Sequence, residues 1–249
     1  MFWFLLICFI IVFFNILSAK EEKKARKKNK RLERERRERE KLAREATASP
    51  SKDGKISDDI LKELELLDPF VSEKERKIRF LKSMGIDCFY HFTDRKNLES
   101  IIKLGGLYSW NYLETNGLGY VNSGGNIISR NLDKRKNLQD YVRLSFNNNL
   151  PMKWHREQQG YNIVTLKIAL SVINEDMLVS DINATDTNCK FSKGYKGLNI
   201  VNYRAVKMGK CYRTDPLFKQ RQAEILIKTK VPLEYITNLE TLRNYRFLK

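Results

Sequence analysis

The chain has 249 residues, 47 Lys+Arg against 30 Asp+Glu for a formal charge of +17, 42% hydrophobic residues, two histidines and four cysteines. At roughly 100–200 residues per domain, this length holds one catalytic-sized domain with extras or two small ones, and the composition excludes global disorder, a collagen-like repeat and a disulfide scaffold. Cys8, Cys88, Cys189 and Cys211 form no C-x-x-C pair and His91 and His155 lie far apart, which excludes a Cys/His zinc site of recognised spacing.

From the amino end, Phe2 to Leu17 is an apolar run broken only by Asn15. As a helix it rises about 24 Å, at the low edge of what spans a hydrocarbon core of roughly 30 Å. A secretory signal peptide would place basic residues before the apolar core. None precedes Phe2, although Ser18-Ala19 offers a small-residue cleavage site. The positive charge follows instead: Lys20 to Glu45 holds 14 Lys+Arg and 7 Glu, a net +7. By the positive-inside tendency this keeps the downstream chain cytoplasmic. Residues 1–19 are therefore read as an uncleaved single-pass membrane anchor, with a signal peptide as the alternative.

Glu21 to Arg44 is almost wholly Lys, Arg, Glu and Ala, with many i,i+4 opposite-charge pairs and no apolar stripe. That pattern predicts a solvated helical stalk; attraction to anionic lipid head groups or to nucleic acid are its other readings. Ala46 to Lys55 reads as a linker, so stalk and linker span 20–56 and a folded domain spans 57–249. The part beyond the basic run still carries +10, which suits a polyanionic ligand or an ordinary solvated surface.

A helical lead-in over 57–86 opens the domain. Ile60, Leu61, Leu64 and Leu67 share a face of a first helix, and Ser72 with Glu75 forms a capping box ahead of Ile78, Leu81 and a Gly85 stop. Cys88 to Thr93 is a short aromatic strand with Phe89, His91 and Thr93 on one face. A helix from about Arg95 buries Leu98, Ile101 and Ile102 and stops at Gly105-Gly106. Tyr112 to Arg130, rich in Gly and Asn, is expected to be a long irregular ligand loop or disordered. Strands follow at Tyr141–Phe146, Asn162–Ile168 and Glu224–Val231, the last with Ile225, Ile227, Thr229 and Val231 opposite Glu224. The whole is one α+β domain without internal repeats.

Two features carry possible chemistry. His91 and Thr93 share a strand face, where a histidine is more often a satisfied core residue. Glu224 opens an apolar strand, where a carboxylate is costly unless it is solvated at the strand end, paired, or facing a cleft. The glycines match neither a dinucleotide-binding G-x-G-x-x-G nor a P-loop, and there is no G-x-S-x-G elbow or H-E-x-x-H.

Four blocks in order add a resemblance: Tyr90-His91-Phe92-Thr93 with Asn97-Leu98 and Ile101; Asp140 to Phe146 with Pro151-Met152; Ser180-Asp181-Ile182-Asn183-Ala184; and Gln222-Ala223-Glu224-Ile225-Leu226-Ile227. Over about 88–236 the chain resembles the DarT family of DNA ADP-ribosyltransferase toxins. The resemblance implies an ADP-ribosyltransferase fold in which two small mixed sheets clasp NAD, with NAD as co-substrate and no metal. It also implies a base in single-stranded DNA as acceptor, a toxin or phage-defence role, and a macrodomain partner that removes the mark. His91, Thr93 and Asn97 would then contact NAD, and Glu224 would be catalytic. An arginine ahead of the second block, Arg130 or its rival Arg135, would serve the acceptor base. Tyr212 to Arg221, with Tyr212, Arg213 and Arg221, would form the substrate loop. The class implied is glycosyl (pentosyl) transfer, and nucleotidyl transfer is expected beside it. Lys153-Trp154-His155, the Gly/Asn-rich insertion and the apolar amino terminus depart from the family pattern. RNA or protein as acceptor, and a catalytically silent, membrane-tethered nucleic-acid-binding module, are the alternatives.

Overall fold

The computed structural model describes residues 71–118, 127–209 and 212–244, and six positions of the basic run. The chain divides into two units, Met1–Ser49 and Pro50–Lys249. In the first, Arg26, Lys27, Lys30, Glu33, Arg34 and Arg37 are helical and exposed. The expected anchor, the linker and the first lead-in helix, Ser57 to Leu67, lie outside the described residues. Among the described residues no helix is long and apolar enough to cross a membrane.

In the second unit, α1 (Glu73–Ser83) begins where the capping box predicts: the Ser72 hydroxyl accepts the Glu75 amide at 3.2 Å. β1 (Cys88–Asp94) follows, then a single 3₁₀ turn capped by Asp94, and α2 (Leu98–Leu104). Gly105 ends α2 in the left-handed region, φ +75°, and its amide closes onto the Ile101 and Ile102 carbonyls. β2 (Gly106–Tyr108), α3 (Trp110–Thr115), α4 (Ile127–Arg135), β3 (Tyr141–Ser145), α5 (Pro151–Gln158) and β4 (Ile163–Ala169) come next. The carboxyl half supplies β5 (Leu178–Ser180), β6 (Phe191–Lys193), α6 (Tyr203–Val206), β7 (Glu224–Lys228), β8 (Lys230–Pro232) and α7 (Leu239–Asn244).

The strands form a six-stranded sheet in the order β4-β1-β3-β7-β5-β6 and a separate β2-β8 ribbon. Every described pairing is antiparallel, so the expectation of two small mixed sheets is corrected to one antiparallel sheet and one antiparallel ribbon. The expected single strand Glu224–Val231 is also corrected. It breaks at Thr229, which takes φ +63°, a conformation a β-branched residue rarely adopts. Two backbone bonds hold it there: its amide donates to the Asp140 carbonyl at 2.6 Å and its carbonyl accepts the Ser109 amide at 2.8 Å. β7 thus stays in the large sheet while β8 crosses to the ribbon. Tyr112 to Arg130 is not one irregular loop, because helices occupy both its ends. α3 is fixed by the Ser109 hydroxyl accepting the Tyr112 amide, a cap hidden from a reading that starts at Tyr112.

One face of the sheet is the core. Phe89, Val142, Leu144, Phe146, Leu166, Ile168, Ile225 and Ile227 pack there with Phe80 and Leu81 from α1. Phe89, Phe146, Tyr203 and Phe80 form a chain of edge-on ring contacts at 5.3, 6.2 and 5.4 Å. Burying each such side chain contributes about 1.5–3 kcal/mol. The opposite parity, Tyr141, Arg143 and Ser145 of β3 and Glu224 of β7, faces away from that core and toward a cleft.

Candidate active site

The cleft exists because β1 and β3 part company. They pair at Tyr90↔Ser145 and nowhere else, whereas β1 follows β4 for its whole length. Where the ladder would have continued, the Arg143 carbonyl is taken instead by Nδ1 of His91 at 3.0 Å. A carbonyl only accepts, so Nδ1 carries the proton and Nε2 is left as an acceptor. Burial pushes the His91 pKa below its usual value, partly countered by that bond, and the ring is neutral at pH 7. The gap opens into a cleft of about 250 Å³ lined by residues of β1, α4, β3, the start of α5, the loop after β5 and the start of β7.

Glu224 lies at its floor. Although it is the first residue of β7, strand-end solvation is ruled out, because it pairs sideways with Ser145 on β3 and Ser180 on β5 and is only 9% exposed. Both neighbours are small, which leaves the carboxylate room. Its amide donates to the Ser180 hydroxyl at 3.1 Å. Its Oε2 accepts the Ala184 amide at 2.9 Å and lies 3.5 Å from Nη1 of Arg143. Burial raises the Glu224 pKa most; Arg143 and the Ala184 amide lower it, and Asp133 raises it slightly.

The Ser180 to Ala184 block now has a structural reason. Asp181 accepts the Lys190 amide and Asn183 accepts the Thr185 amide, which folds the loop so that Ala184 presents its N–H to Glu224. Lys136 donates to the Ala184 and Asp186 carbonyls, and Lys219 pairs with Asp186 at 2.9 Å, pinning the loop from outside.

Thr93 and Asn97 line the cleft with His91 and bond to each other, Asn97 Nδ2 donating to Thr93 Oγ1 at 3.0 Å. Arg130 also lines it, ion-paired to Glu114 and stacked 5.2 Å over the Trp110 ring. Arg135, one and a half turns later on α4, is exposed and is not among the lining residues, so the geometry favours Arg130 over its rival. The loop before β7 is mixed. Tyr212 is 74% exposed and Arg213 is exposed, whereas Arg221, expected in the substrate loop, is buried. Its guanidinium donates to the carbonyls of Met208 and Gly209 and to Asn147 Oδ1, facing inward. Tyr195 and Tyr203 are buried in the core, and the Tyr203 hydroxyl donates to the Leu198 carbonyl.

Sequence reading missed Arg143, Asp133 and Trp110. Strand parity could have found Arg143: it sits two residues before Ser145, on the face opposite Val142 and Leu144, and pairs with Leu226, which makes it a diagonal neighbour of Glu224. Asp133 and Trp110 gave no such signal, since they lie 23 residues apart and meet only through the packing of α3 and α4.

A carboxylate at the floor of a cleft, with a neutral imidazole and small hydroxyls beside it, invites comparison with known proteins. The family model described as "ssDNA thymidine ADP-ribosyltransferase, DarT" matches residues 90–242. The chain belongs to the DarT family. No curated protein matches it. Among solved structures, the Thermus sp. 2.9 DarT in complex with ADP-ribosylated ssDNA is 19% identical, with a TM-score of 0.50 over 61% of this chain and 79% of that one. The same Thermus protein in complex with NAD+ is 18% identical, with a TM-score of 0.49 over 65% and 89%. The Thermosipho africanus DarTG in complex with ADP-ribose is 16% identical, with a TM-score of 0.51 over 66% of this chain and 48% of that one, so the chain spans about half its length. The first and third of these likenesses place the DarT fold on this chain. DarT chemistry moves a pentosyl group at a ribose carbon and not a nucleotidyl group at phosphorus, so the nucleotidyltransferase class is withdrawn.

Proposed function

We propose that this chain transfers ADP-ribose from NAD to thymidine in single-stranded DNA. The observation that carries the reading is the buried Glu224 carboxylate at the floor of the cleft, in a chain of the DarT family. The donor set fits the nicotinamide riboside end of NAD, because the carboxylate and the hydroxyls of Ser145 and Thr93 suit ribose oxygens. NAD supplies an activated ribose: the glycosidic bond to nicotinamide breaks with its electron pair leaving on the nicotinamide nitrogen, and a base nitrogen forms the new bond.

Glu224 accepts a ribose hydroxyl and faces the positive charge that develops on the sugar. His91 and Thr93 from β1 and Asn97 from the 3₁₀ turn after it dock the nucleotide, contributing position and no proton transfer. Thymine N1 already carries the deoxyribose, so N3 is the ring nitrogen free to attack the ribose carbon, and its proton leaves to water. Arg130 at the rim, permanently charged, orients a base carbonyl and favours loss of that proton without acting as the base. Single-stranded substrate suits the cleft because a stacked, paired base cannot bring N3 inside. Tyr212 and Arg213 on the exposed loop meet the DNA.

The wider reading has three parts. Residues 2–17 anchor the protein in a membrane with the domain cytoplasmic; the stalk and linker of 20–56 set it off the surface; and the activity serves as a toxin or phage-defence effector reversed by a macrodomain partner. The apolar run and the basic run that follows it support the anchor. Accessibility of a carboxyl-terminal reporter from outside the cell would overturn the topology. The transfer itself is tested with labelled NAD and separate pools of single-stranded DNA, duplex DNA, RNA and protein, with Glu224→Gln as control. Glu224-dependent label in single-stranded DNA is expected; label in RNA or protein would replace the acceptor, and NAD-independent, salt-sensitive DNA binding alone would mark a silent module.

A further inference from the structure

We propose that Arg143 is a positioning residue that sets the direction and ionisation of Glu224, and that Asp133 and Trp110 hold its guanidinium to that task. The inference rests on the transferase reading above and gives Arg143, Asp133 and Trp110 roles that the family resemblance does not assign.

The geometry is a relay across three elements. Trp110 Nε1 on α3 donates to Asp133 Oδ2 on α4 at 3.1 Å. The other oxygen of Asp133 pairs with Nη2 of Arg143. The opposite arm of the same planar fork, Nη1, lies 3.5 Å from Glu224 Oε2. The Ala184 amide donates to that same oxygen at 2.9 Å. All three charged groups are screened from water: the side chains of Arg143, Asp133 and Glu224 are 23%, 10% and 11% exposed. A guanidinium held between two carboxylates cannot swing, because each arm has its own partner and the fork is rigid. Glu224 is therefore aimed before any substrate arrives, which is the preorganisation that electrostatic catalysis needs.

Sharing also sets the charge. Of the groups that face Glu224, Arg143 from β3 and the Ala184 amide favour its ionised form, and Asp133 from α4 opposes it. Cys189, on the same loop as Ala184, has its thiol pushed up to about 11 by burial and Asp181, so it stays neutral. His91 on β1 is neutral and reaches the arginine only through the backbone carbonyl. Burial drives Glu224 toward the protonated form, so the arginine keeps it available as an anion. Asp133 holds the arginine in place and competes for its charge, so the two residues act on Glu224 with opposite sign.

That opposition is the test. NAD consumption by the full-length chain is followed against pH for the wild type, Arg143→Gln, Arg143→Lys and Asp133→Asn. Asparagine removes the charge and keeps one acceptor oxygen, enough for Arg143 or for Trp110 but not for both. The account expects the acid limb of kcat to move up by about one pH unit in Arg143→Gln and down in Asp133→Asn. Arg143→Lys should keep the limb near its wild-type place with a lower kcat, since it retains charge and loses the fork. Limbs that stay put, or that both move the same way, overturn the proposal, since a merely structural role would lower activity without opposite shifts. If Arg143→Gln does not fold, the Asp133→Asn shift decides alone. If the wild type consumes no NAD, the transferase reading fails by itself. The carboxyl ¹³C resonance of Glu224, assigned by its loss in Glu224→Gln, then decides the positioning claim: its titration must move in opposite directions in the same two variants.

Discussion

Replacing Glu224 with Gln separates what the carboxylate does for the reaction from what it does for the fold. A unit charge about 4 Å from the developing ribose cation, at an effective dielectric near 20, contributes roughly 4 kcal/mol. At about 1.4 kcal/mol per tenfold, transfer is expected to fall about 10³-fold. Stability should move the other way. The Gln carbonyl still accepts the Ala184 amide, and Arg143 keeps Asp133. The wild-type carboxyl is held above its ordinary value of 4.5 by burial, so the native state binds this proton more tightly than the unfolded chain. Its contribution is full below about 4.5 and is lost as pH rises through the folded value. Glutamine does not titrate, so the melting temperature of Glu224→Gln relative to wild type should be higher at pH 7.5 than at pH 4. Differential scanning fluorimetry at the two pH values, beside single-turnover transfer, gives both numbers. A variant that melts lower relative to wild type at pH 7.5 than at pH 4, or that keeps more than a tenth of the rate, would refute the reasoning.

Arg130→Ala is expected to lower transfer to DNA at least tenfold while NAD hydrolysis to water persists, and Arg135→Ala to change neither; the ratio of the two products in one reaction checks this. Arg221→Ala should lower stability by about 2–4 kcal/mol in chemical denaturation, because it leaves the Met208 and Gly209 carbonyls without a buried charged donor. Thr229→Gly should raise stability by about 1 kcal/mol, since glycine adopts φ +63° without strain, and a lowered melting temperature would count against the strained reading of that break.

The elements governed by short-range signals were legible in the sequence. Ser72 with Glu75 marks the start of α1 and Gly105 the end of α2, because caps are local chemistry. The parity of Val142, Leu144 and Phe146 gives the buried face of β3, because a strand repeats every second residue. What was hidden depends on distant partners. Nothing near Thr229 announces that its amide will meet Asp140 and its carbonyl Ser109, so one apolar run was read as one strand. Arg221 looks like any loop arginine until Met208, Gly209 and Asn147 close around it. The candidate site shows the same division. Glu224 stands out as a carboxylate in an apolar strand, and His91 as a ring on an aromatic one. The Trp110–Asp133–Arg143 relay joins three segments spaced along the chain, and only the antiparallel register of β3 on β7 brings its last member to Glu224.

The central claim is that this cleft places ADP-ribose on thymidine. Its most direct test pairs two single-stranded oligonucleotides, one with a single thymidine and one with that thymidine replaced by cytidine, each incubated with NAD and the full-length protein and weighed by mass spectrometry. The account predicts a gain of one ADP-ribosyl group on the first, abolished by Glu224→Gln, and none on the second. Equal modification of both, or none on either by a protein shown to bind NAD, would contradict it.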